Sequence, residues 1–156
     1  MRFLGNVEAK TDAKGRAFLP AVFRKVLSAS GEENLVLRKD VFQACLVLYP
    51  ESVWNERLDM LKAQLKPWKP LHQQLFRQFV SEAEVVTLDG NGRFLISKRL
   101  QRAAGIGQDL QFIGMDDTIE IWSPQDLQKT LRSDEEFGEE FEKIMNGEEV
   151  VQSSEL

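Results

Sequence analysis

Arg16 and Arg93 stand 77 positions apart (93 − 16), each directly after a glycine and four places after an aspartate. The stretches read TDAKGRAFLP, residues 11–20, and LDGNGRFLIS, residues 88–97. An aspartate in such a stretch accepts hydrogen bonds from backbone amides of a tight turn, and glycine supplies the positive φ the turn needs. Asp12, Gly15, Asp89 and Gly92 therefore read as turn-forming residues. A turn does not require arginine, so Arg16 and Arg93 have another job. Two are open: an ion pair with the turn's own aspartate, or a planar guanidinium fork offered to a phosphate or a base edge. The two copies need not share one answer.

Other chemistries find less support. His72 and Cys45 are the single histidine and the single cysteine, so no clustered metal-ligand spacing exists and no metal or cofactor is expected. Cys45 lies in the apolar run CLVLY and reads as a buried structural thiol. His72, beside Gln73 and Gln74, reads as an exposed helix residue without a nucleophile elbow near it. The glycines of GNG, residues 90–92, lack the spacing and the Lys-Ser/Thr ending of a phosphate loop. Trp54, Trp68 and Trp122 read as core or interface anchors. No catalytic residue is assigned, and the chain reads as a non-enzyme.

The turns recur because the elements around them recur. FLGNVEAK leads into the first turn; then come AFLP, the helical segment AVFRKVLSA, and the strand-like runs NLVLR and ACLVLY. EVVTL leads into the second turn; FLI, SKRLQRAAG, DLQFIG and TIEIW follow in the same order. Phe23 and Leu100 hold matching places on the two short helices, and Tyr49 and Trp122 on the last strands. Each copy has too few short strands to bury a core alone, so the two must complete one another. Between them, Trp54, Leu58, Leu61 and Leu65 recur at helical spacing. After the prolines of KPWKP a second helix is predicted, with Leu71, Leu75, Phe79 and Ala83 on one stripe. A third is predicted from Gln125 onward, carrying Leu127, Leu131, Phe137, Phe141 and Ile144.

Composition bounds the class. A chain of 156 residues with 42% apolar and 29% charged residues can bury a core. No apolar run approaches the ~18 residues of a membrane span, and the N-terminal stretch lacks the apolar length and small-residue cleavage site of a signal peptide. A cytoplasmic location is expected. The net charge of −5 is unevenly placed. Residues 133–156 hold nine acidic residues and one lysine, while residues 1–132 hold 19 basic and 16 acidic ones, a net of +3. A mildly basic body admits a nucleic-acid partner without requiring one.

DAKGRAFLPAVFR, LDGNGRFLISKRL, the YP-x-x-x-W element of Tyr49, Pro50 and Trp54, and EIW at Glu120–Trp122 together resemble the MraZ family over roughly residues 1–145. The resemblance implies an α+β fold: two SpoVT/AbrB-like swapped-hairpin units forming a pseudo-symmetric small barrel, with flanking helices. On that basis the first unit is expected at 3–50, linking helices at 51–81, the second unit at 82–124, a C-terminal helix at 125–145 and a disordered tail at 146–156. The implied function is a nucleoid-associated transcriptional regulator, acting as a ring-shaped homo-oligomer on direct repeats of double-stranded DNA in the promoter of the division and cell-wall gene cluster. The implied DNA contacts are Lys14 and Arg16 first, Arg93 in the second unit, and Lys10, Arg2 and Arg24 as neighbours. The second copy departs from the first, with Asn91 for Lys14, Ser97 for Pro20 and Gln101 for Arg24. The first turn is therefore expected to dominate DNA contact, and the second to act as scaffold. The competing reading is an oligomeric protein-interaction module that keeps the fold without DNA binding.

Overall fold

The structure, a computed structural model, describes residues 1–148. In chain order its elements are β1 (Asn6–Lys10), β2 (Arg16–Phe18), α1 (Ala21–Ser30), β3 (Asn34–Lys39), β4 (Leu46–Pro50), α2 (Glu51–Gln64) and α3 (Pro70–Ser81). The chain continues with β5 (Glu84–Thr87), β6 (Arg93–Leu95), α4 (Lys98–Ala103), β7 (Asp109–Met115), β8 (Thr118–Trp122), α5 (Pro124–Gln128) and α6 (Asp134–Met145). Strand, turn, strand, helix, strand, strand thus occurs in both copies. The chain forms two compact units, one of Met1–Asp126 and one beginning at Leu127.

Six strands form one antiparallel sheet in the order β1-β7-β8-β4-β3-β5, and β2 pairs with β6 in a separate two-stranded ribbon. Exchanging the copies (β1 for β5, β3 for β7, β4 for β8) maps that order onto itself reversed. Equivalent positions face each other at its centre, Val47 opposite Glu120 in the sheet and Ala17 opposite Phe94 in the ribbon. The copies are interleaved: β1 adds to the β7–β8 hairpin and β5 to the β3–β4 hairpin. Each copy therefore supplies an outer strand to the other's hairpin. The expected small barrel is not closed. β1 and β5 are the outer strands of an open sheet, because β2 and β6 leave it to pair with each other.

Alternation along the strands gives the sheet two different faces. Leu35, Leu37, Leu46 and Leu48 enter the main core with Leu110, Phe112, Ile119 and Ile121. Ala17 and Phe94 of the ribbon and Phe23 and Leu100 of α1 and α4 join the same core. Phe94 meets Phe112 edge-on with ring centroids 6.2 Å apart, and Phe3 meets Phe23 at 5.9 Å. Each such side chain contributes about 1.5–3 kcal/mol when fully buried. The opposite face carries Tyr49, whose ring meets Trp54 of α2 at 5.2 Å. Trp54 in turn stacks on Phe79 of α3 at 5.4 Å. Arg38, from that same face, lies over the Phe79 ring and donates Nε–H to the Phe79 carbonyl at 2.9 Å. The ribbon and the α2–α3 pair thus lie on opposite faces of the sheet.

Three expectations for the helices change. On α3 the sheltered side is His72, Phe76, Phe79 and Val80, whereas Leu71 and Leu75 are exposed. Stacking of Phe79 on Trp54 sets this rotation. His72 is half-buried, not exposed: its Nδ1 accepts the Lys66 backbone N–H at 2.9 Å, closing the turn between α2 and α3. The single C-terminal helix is two helices, because Ser133 caps α6 by accepting from the Glu136 amide at 3.2 Å. Ser-Asp-Glu-Glu before an apolar run is a readable helix start. Of the expected tail, residues 149–156 lie outside the described residues.

Candidate nucleic-acid interface

Each turn is knotted by its aspartate. Asp12 Oδ1 accepts the backbone N–H of Lys14 and of Arg16, both at 2.9 Å, and Oδ2 accepts Arg16 Nε–H at 2.8 Å. Asp89 repeats the pattern with Asn91 at 2.9 Å, the Arg93 amide at 3.0 Å and Arg93 Nε at 2.9 Å. The backbone amide of Arg16 is the main cause that holds the Asp12 carboxyl below the ordinary aspartate value, and that of Arg93 does so for Asp89. Both carboxylates are therefore ionised at neutral pH. Gly15 and Gly92 take φ of +86° and +80°, the left-handed region that glycine reaches without strain.

The geometry removes the choice left open for the arginines. Both make the ion pair, and both make it through Nε alone. Among the described residues no protein oxygen accepts from the Nη atoms of either one. The aspartate fixes the side chain, and the double-donor end of the fork stays available for bidentate contact.

The ribbon places these forks on one surface. Along β2 and β6 the middle residues, Ala17 and Phe94, are buried, so their neighbours face outward. Arg16 is paired across the ribbon with Leu95, and Phe18 with Arg93. Phe18 is 56% exposed and Leu95 52%. The Arg93 guanidinium lies over the Phe18 ring at 5.9 Å, a cation–π contact that orients it further. The outer face is thus a diagonal of two arginines crossed by a diagonal of two apolar side chains. Phe18 and Leu95 were not singled out from sequence, although the pattern Arg-apolar-apolar in both copies carried the signal.

The interleaving also moves a cation. Arg24 of α1 does not serve its own turn: its Nη1 donates to the Asn91 carbonyl at 3.3 Å, and its guanidinium covers Gly92. Its counterpart Gln101 of α4 covers Gly15 and donates to the Ile96 carbonyl at 2.7 Å. Backbone bonds follow the same exchange, Leu19 N–H to Gly92 at 2.9 Å and Ile96 N–H to Gly15 at 2.9 Å. The first turn therefore carries Lys14 and Arg16, and the second carries Arg93 and Arg24. The charge deficit read along the second copy is made good in space by a residue of the first.

The remaining arginine and lysine candidates, Arg2 and Lys10, each face an aspartate. Lys10, at the end of β1, is 3.8 Å from Asp109 on β7, and Arg2 donates to Asp116 at 2.8 Å beside the β7–β8 turn. Both pairs are exposed. Lys14 is exposed, and its ammonium has no protein partner among the described residues. Cys45 is fully buried, and burial pushes its thiol up, away from any nucleophilic role. No helix among the described residues is long and apolar enough to cross a membrane.

Fold and site together define a tandem-repeat protein in which two interleaved copies build one arginine-bearing ribbon. The chain belongs to the MraZ family: the family model described as "MraZ protein, putative antitoxin-like" matches residues 2–67 and 79–145. It is 63% identical to the transcriptional regulator MraZ of Phocaeicola vulgatus over 145 residues, 93% of this chain and 94% of that protein. It is 53% identical to the transcriptional regulator MraZ of Bacteroides fragilis over 156 residues, 100% of this chain and 99% of that protein. A more distant relative is the transcriptional regulator MraZ of Flavobacterium psychrophilum, 31% identical over 143 residues.

Proposed function

We propose that the protein is a sequence-specific DNA-binding transcriptional regulator whose β2–β6 ribbon enters the major groove. In this reading each repeat is a SpoVT/AbrB-like unit, and the protein is cytoplasmic and associated with the nucleoid. It works as a ring-shaped homo-oligomer on direct repeats in the promoter of the division and cell-wall gene cluster. The observation that carries the proposal is the outer face of the ribbon, where Arg16 and Arg93 are held by aspartates with their Nη ends free. A two-stranded β-ribbon fits the major groove, arginine forks match guanine edges, and apolar side chains meet thymine methyl groups. Arg16 and Arg93 thus suit guanine, and Phe18 and Leu95 suit thymine. Lys14 and Arg24 suit the flanking phosphates. The names of the relatives, transcriptional regulators, agree.

Magnitude then calls for assembly. The two cations on phosphates, Lys14 and Arg24, give a slope of log K against log salt of only about −1.8 for one protomer. Several protomers on successive repeats multiply affinity through effective concentration. The test is an electrophoretic shift with the direct-repeat fragment from upstream of the protein's own coding region, at two salt concentrations. Steeply salt-dependent binding, several times the single-protomer slope, is expected. Binding that ignores salt, or none, would favour the protein-interaction module, to which the net charge of −5 is suited.

A further inference from the structure

Two helical segments of this chain have opposite charge, and both leave apolar side chains in water. From Leu61 to Ser81 there is no acidic residue, against Lys62, Lys66, Lys69 and Arg77. This stretch also exposes Trp68 at 75%, Leu71 at 61% and Leu75 at 53%. It lies on the face of the sheet away from the ribbon, so the proposed DNA surface does not need it. In α6 the charges are reversed: Asp134, Glu135, Glu136, Glu139, Glu140 and Glu142 against Lys143. Phe137, Phe141 and Ile144, spaced i, i+4, i+7, form one stripe, each more than half exposed. The Phe137 and Phe141 rings already meet at 5.5 Å, so the stripe is preformed.

Neither surface suits a copy of itself. Two α6 stripes face to face would bring acidic flanks together, and two α2–α3 faces would oppose lysines. Each instead complements the other, an amphipathic helix with acidic flanks for an apolar face with a basic border. We propose that α6 of one copy docks on the Trp68–Leu71–Leu75 face of a second copy, its acidic flanks against Lys62, Lys66 and Lys69. Because donor and acceptor differ, the contact is heterologous: every copy gives one and receives one, and the series ends only by closing into a ring. The inference rests on the ring reading above and assigns its interface.

Full-length protein measured by light scattering tests it. Phe137→Ser/Phe141→Ser removes the donor stripe, and Lys66→Glu/Lys69→Glu reverses the acceptor border; all four residues are exposed. Each variant alone is expected to lose assembly, with association at least tenfold weaker. Mixed, they are expected to form a two-chain particle and nothing larger, since one intact α6 then meets one intact acceptor face. A mixture that stays single-chain would overturn docking between copies, the outcome if α6 covers its own chain's hairpin. Variants that assemble like the parent would overturn this interface while leaving the ring standing. A parent protein that is itself a monomer would overturn both.

Discussion

An Arg16→Ala variant is expected to bind direct-repeat DNA at least tenfold more weakly than the parent while folding and assembling as before. Losing one arginine fork from a base edge costs about 1–3 kcal/mol per contact, and the loss compounds when several protomers sit on one DNA. The salt slope should stay close to the parent's, because a base-edge contact neutralises no phosphate. Stability is affected little, because Asp12 keeps both backbone amides when the guanidinium is removed. The Arg16–Asp12 pair itself is about one-third exposed, where screening leaves ion pairs weak. Arg16→Lys separates the two components. It keeps the charge but not the fork, so it should recover some affinity and little of the sequence preference. Shift titrations at two salt concentrations, with matched and scrambled repeats, read both. Arg93→Ala should lose a comparable factor, since the two forks occupy equivalent positions on the ribbon. Full binding by Arg93→Ala would restore the second turn to the scaffold role read from sequence.

The second large effect is on stability. Gly15→Ala is expected to lower it by about 2–4 kcal/mol, a fall of roughly 5–15 °C in Tm. Part is the left-handed backbone, which costs an L-residue about 1–2 kcal/mol. The rest is space: a Cβ there lies 2.9 Å from the Ile96 carbonyl oxygen, which is backbone and cannot step aside, and also meets the Gln101 amide. Gly92→Ala carries the same conformational cost, but the nearest atoms to its new methyl all belong to the flexible Arg24 side chain. It should therefore be the milder change in a thermal melt. It should also displace Arg24 from the second turn and weaken DNA binding, which Gly15→Ala does through unfolding alone. Equal melting temperatures for the two variants would contradict the packing described around Gly15.

Much of this was legible because it is local. Asp-x-x-Gly-Arg specifies its turn wherever it occurs, and the repeat at 77 positions gave the element order of both copies. What the sequence withheld is non-local. Nothing in AVFRKVLSA says that Arg24 crosses to the other copy's turn, since the exchange depends on strand pairing between segments far apart. The same pairing decides that the sheet stays open: β2 and β6 are three residues each, too short to signal that they leave it for one another. Gly114 is a similar case: a Cβ there would lie 2.5 Å from the backbone of Phe3 and Leu4, a close approach that nothing in the run DLQFIG announces. The α3 stripe failed for a different reason. Leu71 and Leu75 fit helical spacing as well as Phe76 and Phe79 do, and periodicity cannot say which side meets Trp54. Apolar residues placed on the wrong side by pattern became the candidates for contact with another copy.

Photo-crosslinking reads whether the outer face of the β2–β6 ribbon lies against DNA. A benzophenone amino acid placed at position 18, between the two arginine forks, should crosslink to the direct-repeat fragment and be competed by unlabelled fragment. The same probe at position 68, across the sheet, should give no DNA adduct. Adducts from position 68 and none from position 18 would put the DNA on the opposite face of the sheet and rule out the ribbon as its contact.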